Sequence, residues 1–150
     1  MGRKVCLTSS LQAAAPRTAQ LTPPPVFYTG TTGDPVPICK GWLRASLRRV
    51  DTSHPAHREY LPYRNYLSTD VQPVKVDEVY TFDVEIWPTN VVIGAGGKLV
   101  LEVASHDTQG SGIFEHNHPE DRVESRLKGW NNIHVGGEHQ SCLILPVIPS

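Results

Sequence analysis

Two histidines followed by two acidic residues form the stretch of the sequence best suited to chemistry. In FEHNHPED, residues 114–121, His116 and His118 lie two positions apart. On a β-strand both imidazoles would point to the same face, where they could bind one metal ion with a carboxylate completing the coordination shell. An acid/base pair and an ordinary solvated loop are the alternatives, since His, Asn, Pro and Asp are also common turn residues. The spacing alone leaves these three interpretations open.

The residues around the two histidines allow a comparison with the cupins, which are metal-binding jelly rolls. In their motif five residues separate a Gly from His-x-His, and three or four residues then separate His-x-His from a Glu. Gly110 stands at the required distance from His116, but the Glu that should follow His118 is displaced to Glu124. The second histidine motif that should come next is also incomplete. A cupin-like metalloprotein is therefore a weak alternative, and we expect neither a bound metal nor a cofactor.

A nucleophilic hydrolase needs an activated Ser or Cys on a strained turn, with a His and an acid in reach. The sequence has no GxSxG motif, and Ser111 in QGSGIF has the wrong spacing. The glycine-rich stretch VIGAGGKLV matches neither a dinucleotide-binding nor a phosphate-binding loop, because the residues and the helix that should follow are missing. The sequence therefore predicts no catalytic residue, and we expect the chain alone to be inactive.

Composition and charge restrict the partners that this chain can have. Its 150 residues are enough for one domain with a real core, and 14 basic against 15 acidic residues give no excess that would favour nucleic acid. No segment reaches the roughly 20 apolar residues of a membrane span, and the amino end lacks the apolar run of a secretory signal. We expect neither a nucleic-acid nor a membrane partner.

Three cysteines, Cys6, Cys39 and Cys142, are an odd number without CxxC or another ligand spacing. Such a set indicates neither a disulfide framework nor a zinc site. We interpret all three as thiols. This interpretation favours a reducing compartment, and we expect a cytoplasmic location.

Two compositional regions predict the domain organisation. Residues 1–25 are rich in Ala, Thr, Ser and Pro and are expected to be disordered, whereas residues 26–150 contain short β-type runs between Gly, Pro, Asn and Asp turns. The run YTFDVEI, residues 80–86, alternates apolar and polar residues and predicts a half-buried strand. The same alternation predicts a strand with Leu99, Leu101 and Val103 on one face, and Leu43, Ala45 and Leu47 suggest a third. Residues 51–74 form a long proline-containing excursion, a kind of segment that often carries function. The whole pattern predicts an all-β sandwich.

Five motifs occur in a fixed order over most of the chain. They are GWLRASLRRVD at 41–51, VDEVYTFDVEIWPTN at 76–90, AGGKLVLEVASHD at 95–107, FEHNHPEDR at 114–122 and NNIHVGGEHQSCLILPVIP at 131–149. In this order they resemble the carboxy-terminal domain of the CocE/NonD hydrolases and X-prolyl dipeptidyl-peptidases. The amino-terminal residues 1–25 match nothing in that family that we recognise.

The resemblance implies a jelly-roll, galactose-binding-like sandwich attached to an α/β-hydrolase domain that carries the Ser-Asp-His triad. We therefore expect the chain to be the non-catalytic carboxy-terminal part, a fragment, of a serine hydrolase acting on Xaa-Pro peptides or acyl esters. The FEHNHPEDR motif resembles a family loop, which favours the polar-loop interpretation of His116 and His118. A chain without its hydrolase would expose a docking face, and self-association is a further expectation.

The residues expected to contact the hydrolase domain are aromatic or histidine side chains in two loops: Tyr60, Tyr63, Tyr66, Phe114, His116 and His118. A stand-alone sandwich that binds carbohydrate or another partner is the alternative. Trp42, Trp87 and Trp130 would then supply a platform on which a sugar ring stacks.

Overall fold

The computed structural model describes residues 4–7, 11–13, 20–21, 26–29, 36–75, 77–105, 107, 131–135, 138 and 141–148. These residues are rich in β structure and contain only two single-turn 3₁₀ helices, Ala45–Leu47 and Ser68–Asp70. The strands, in chain order, are β1 (Lys4–Leu7), β2 (Leu11–Ala13), β3 (Gln20–Leu21), β4 (Val26–Thr29), β5 (Val36–Cys39), β6 (Leu43–Arg44), β7 (Lys98–Leu101), β8 (Asn131–Ile133) and β9 (Ser141–Ile144). The β class predicted from the sequence is confirmed.

The strands pair in antiparallel fashion between the two halves of the chain. β1 pairs with β9, β2 with β8 and β4 with β7. The three pairs are nested along the chain, because each pair lies within the stretch of sequence enclosed by the previous one. β3 pairs with β6, and β5 joins β4 to give the three-stranded sheet β5-β4-β7. The beginning and the end of the described chain are therefore neighbours.

The buried core is formed by residues in and just after β6 together with residues of the segment 74–84 and residue 103. Leu43, Ala45, Val74 and Phe82 are each at most 3% exposed. Half-buried Tyr80, Val84 and Val103 pack against them. Burying side chains of this size stabilises the fold by about 1.5–3 kcal/mol for each large residue.

The predicted strand at residues 80–86 is only half correct. Burial alternates as expected from Tyr80 to Val84, with Phe82 buried and Thr81 and Asp83 exposed. No strand forms there among the described residues, and the backbone bond that is found lies just beyond the predicted strand. Trp87 N donates to the carbonyl oxygen of Lys40 at 2.9 Å. The alternating pattern therefore predicted the buried face but not the backbone pairing.

The same correction applies after β6. Leu43, Ala45 and Leu47 also alternate in the sequence, yet β6 ends at Arg44 and the chain turns into the helix Ala45–Leu47. In β7, by contrast, Leu99 and Leu101 are half-buried while Lys98 and Val100 are exposed, as the sequence predicts. The turn before β7 is closed by Gly97 N, which donates to Gly94 O at 3.0 Å, with Gly96 at φ 83°.

Two further expectations concern the amino-terminal segment and the cysteines. The described residues of the segment 1–25 lie in β1, β2 and β3, and the expected disorder of that segment and its boundary at residue 25 stay predictions. Cys142 is disulfide-bonded, so the interpretation of all three cysteines as thiols is wrong. Cysteine spacing could not show this, because it does not report which distant strands pair.

Within the ranges that the structure describes, no helix has the length and apolarity needed to cross a membrane.

Candidate docking surface

The proline-containing excursion begins at Asp51, whose carboxylate organises the first turns. Asp51 Oδ1 accepts hydrogen bonds from the Ser53 amide at 3.0 Å and the Ser53 hydroxyl at 2.6 Å. Asn65 Nδ2 donates to Asp51 Oδ2 at 3.4 Å. The backbone amide of Asp51 donates to Tyr63 O at 2.9 Å. One residue thus holds together both ends of the segment 51–65.

Two histidines hold the interior of this loop. His54 Nδ1 accepts from the Ala56 amide at 3.1 Å, and His57 Nδ1 accepts from the Tyr63 amide at 3.4 Å. The His54 and Tyr63 rings stack with centroids 3.5 Å apart and planes 5° from parallel. Because each Nδ1 accepts, each neutral imidazole carries its proton on Nε2.

Acid is expected to loosen the loop through Asp51. The hydrogen bond from the Ser53 hydroxyl is the largest of the effects that hold the pKa of Asp51 below its ordinary value. A carboxyl group whose pKa is lowered by folding contributes stability above its unfolded pKa, and this contribution is lost as the pH falls through the folded pKa. An NMR titration of the Asp51 carboxyl carbon should give a midpoint below that of an ordinary aspartate. Ser53→Ala should raise this midpoint, and an unchanged midpoint would show that the hydrogen bond is absent.

Arg64 fastens the excursion to the core. It is 7% exposed, and its Nη2 donates to the carbonyl oxygens of Asp83 and, at 3.4 Å, Arg48. Burial lowers the pKa of Arg64, while Tyr66 and the carboxylate of Asp83 act in the opposite direction. The guanidinium remains charged, because an Arg pKa is too high for burial of this degree to neutralise it. The buried, charged guanidinium of Arg64 therefore links the loop to the core through hydrogen bonds to backbone carbonyl oxygens.

Further contacts fix the end of the excursion. Arg49 Nη1 and Asp70 Oδ1 form an ion pair at 3.1 Å, and the amide of Gln72 donates to Ser46 O at 2.7 Å. Arg48 donates to Gln72 O at 2.7 Å and lies over the Tyr80 ring, 4.3 Å from its centroid. The excursion is thus attached to the core at both ends.

Large apolar side chains project from this fixed loop. Tyr60 is 67% exposed, Tyr66 58%, Leu67 57% and Leu61 40%. We call these four residues the docking patch. Tyr66 has φ 54°, in the left-handed region that a bulky residue adopts only where its surroundings hold it there. The patch therefore presents apolar surface from a constrained backbone.

The structure describes only part of the predicted contact set. Tyr60 and Tyr66 are both exposed, whereas Tyr63 is half-buried because its ring stacks on His54. Phe114, His116 and His118 lie outside the described residues. The assignment of all six residues to a docking surface stays a prediction.

Sequence reasoning missed a second exposed apolar segment, residues 87–93. Trp87 is 65% exposed and Val92 90%. Trp42 meets Trp87 edge to face with centroids 5.8 Å apart, and Trp42 Nε1 donates to Asp107 Oδ1 at 3.3 Å. Trp130 lies outside the described residues. The run of apolar letters in VVI was the available signal, but it also fits a buried strand.

The metal interpretation is not tested by the structure. In the part of the chain that is described, no three His, Cys, Asp or Glu side chains come together as a group that could hold a metal ion. His116 and His118 lie outside that part.

A β-rich domain with exposed aromatic side chains on a fixed loop is typical of a module that packs against another domain. Comparison with known protein families identifies which kind of module this is. Residues 7–144 match the model of the X-Pro dipeptidyl-peptidase C-terminal non-catalytic domain. The chain belongs to this family. The matched range begins at residue 7, ahead of the boundary predicted at residue 25.

Two curated relatives are mycobacterial proteins that share the name "Putative serine esterase", one from Mycobacterium bovis and one from Mycobacterium tuberculosis. Each is 30% identical to this chain over 112 residues, which is 74% of this chain and 16% of the relative. The chain thus aligns with about a sixth of the length of these relatives. No solved structure matches it.

Proposed function

We propose that this chain serves as the non-catalytic accessory domain of a serine hydrolase that acts on Xaa-Pro peptides or acyl esters. Membership of the family supports the accessory role. The relatives' name supports the reaction class, and their much greater length leaves room for a catalytic region in the same chain. On this proposal the nucleophile, the base and the oxyanion donors belong to the hydrolase. This domain buttresses the hydrolase and shapes one wall of its cleft.

The proposal depends mainly on one observation: the docking patch is exposed on a loop whose backbone is held by hydrogen bonds. Tyrosines supply large contact area at interfaces, and they lose little conformational freedom on binding when their backbone is already ordered. Here the loop is ordered by Asp51, His57 and Arg64 before any partner arrives. The hydrolase would therefore meet a preformed apolar surface.

A jelly-roll architecture is part of the proposal. A jelly roll forms when a long antiparallel hairpin curls so that its outermost strands pair with each other, as do successive inner strands. The nested pairs β1–β9, β2–β8 and β4–β7 support such an arrangement. The galactose-binding-like sandwich expected from the resemblance has this layout.

Self-association of the isolated chain tests the docking patch. Without its hydrolase the chain should associate as its concentration rises, because exposed apolar side chains find one another. Sedimentation velocity of a Tyr60→Ser, Tyr66→Ser, Leu67→Ser variant should show association weakened by about tenfold or more.

Val92→Ser is the matched control, since Val92 is 90% exposed but lies outside the patch. Its association should equal that of the unmodified chain. A chain that stays monomeric at high concentration, or equal loss in both variants, would remove the docking patch from the proposal.

A second candidate function is carbohydrate binding through Trp87. Its 65% exposure gives an aromatic face, and Trp42, which meets Trp87 edge to face, donates to the Asp107 carboxylate. Such a pair suits a sugar ring, which stacks on the aromatic face and donates hydroxyl hydrogen bonds. A glycan array separates the two functions, because binding that is lost in Trp87→Ala and kept in the patch variant would favour this alternative.

A further inference from the structure

The structure contains a disulfide that the sequence analysis did not anticipate. Cys142 lies in β9 and is disulfide-bonded. β9 pairs with β1, and in their register Cys142 stands directly opposite Cys6. Cys39 lies in β5 and is a thiol. The chain has no other cysteine.

We infer that Cys142 is joined to Cys6, so that a disulfide closes the outermost strand pair of the domain. Residues directly opposite each other in an antiparallel pair have Cα atoms about 4.5–5.5 Å apart. Disulfides span Cα separations of about 4.4–6.8 Å. The register of β1 and β9 therefore places these two positions at a distance that a disulfide bridges without backbone movement.

The bond forms by thiol–disulfide exchange with a low-molecular-weight disulfide or a dithiol–disulfide oxidoreductase. One cysteine thiolate attacks the oxidant's disulfide and releases one thiol, giving a mixed disulfide. The second thiolate attacks the protein sulfur of that mixed disulfide and releases the second thiol. The two cysteines lose two electrons and two protons, and the oxidant's two sulfurs leave as thiols.

This bond determines whether the amino-terminal strand stays on the domain. β1 makes a ladder of only four residues with β9, and isolated two-stranded ladders are marginal in water. A covalent link between residues 6 and 142 also restricts most of the unfolded chain, which raises the stability of the folded state. An oxidising compartment suits such a protein better than the cytoplasmic location expected from the sequence. The inference does not depend on the proposed hydrolase partner.

Peptide mapping under non-reducing conditions tests the pairing. The chain is refolded with oxidised glutathione, its remaining thiols are alkylated with iodoacetamide, and its peptides are identified by mass spectrometry. We expect the peptides containing Cys6 and Cys142 to be linked and Cys39 to be alkylated. Alkylation of all three cysteines, or a link from Cys142 to Cys39 or to a second chain, would overturn the inference.

Thermal unfolding separates the bond from a packing effect of the substituted side chains. Cys6→Ser and Cys142→Ser should each lower Tm by about 5 °C or more, and the double variant should lower it no further. Reduction of the unmodified chain should produce the same decrease, and Cys39→Ser should keep the full Tm. Additive decreases in the double variant, or a Tm unaffected by reduction, would show that the two positions are not linked.

Discussion

Replacing Gly41 by Ala is expected to destabilise the domain by about 3 kcal/mol or more. A Cβ atom at Gly41 would lie 2.0 Å from the carbonyl oxygen of Glu85 and 3.1 Å from Cα of Ile86. Both neighbours are backbone atoms, so no side-chain rotation can relieve the overlap. The segments containing Gly41 and Glu85 would have to separate, which would also break the hydrogen bond from Trp87 N to Lys40 O. Denaturant unfolding followed by tryptophan fluorescence measures the loss.

Gly94→Ala is the control for this effect. Nothing lies within 4 Å of a Cβ at Gly94, and the residue is exposed. Its substitution should change the free energy of unfolding by no more than about 0.5 kcal/mol. If Gly41→Ala were equally harmless, the two segments could not be in the close contact described for them.

Phe82→Ala is expected to cost about 3–5 kcal/mol, the usual range for truncating a buried aromatic residue. Phe82 is 3% exposed and packs with Leu43, Ala45 and Val74. Its removal leaves a cavity in a small core that has few other large side chains among the described residues. Urea unfolding gives the change directly. Tyr60→Ala removes an aromatic residue that is 67% exposed, and it should shift the midpoint only slightly. Similar losses in both variants would show that Phe82 is not a core residue.

The sequence predicted the buried face around Phe82 because alternation reports which side chains avoid water. It could not predict that residues 80–86 form no ladder, since pairing depends on which distant backbone lies alongside. The same limit explains β6, which turns into a helix after Arg44. The local sequence pattern thus predicted which side chains are buried, whereas contacts between distant segments determine whether the backbone forms a paired strand.

The candidate site shows the same division. The crowding of Tyr60, Leu61, Tyr66 and Leu67 is visible in the sequence, and it suggested a surface that contacts a partner. Which of the neighbouring tyrosines turns inward was not visible, because Tyr63 is directed by stacking on His54 across a turn. A non-glycine residue with positive φ, such as Tyr66, also leaves no signature in its residue type.

The burial of Arg64 was equally hidden from the sequence. Arginine is almost never buried unless it is paired, so composition alone predicts an exposed side chain. Its partners are carbonyl oxygens of Arg48 and Asp83, which belong to two separate segments. Only the assembled loop and core bring these acceptors together.

A chimeric enzyme tests the central claim, that this chain is the accessory domain of a serine hydrolase. In the Mycobacterium tuberculosis relative, the 112-residue range that aligns with this chain would be replaced by this chain. The rate of hydrolysis of an aryl acyl ester is then compared among the chimera, the relative with that range deleted, and the isolated chain. We predict that the chimera exceeds the deletion form by about tenfold or more in kcat/KM and that the isolated chain shows no turnover. A folded chimera no more active than the deletion form, or ester hydrolysis by the isolated chain, would contradict the claim.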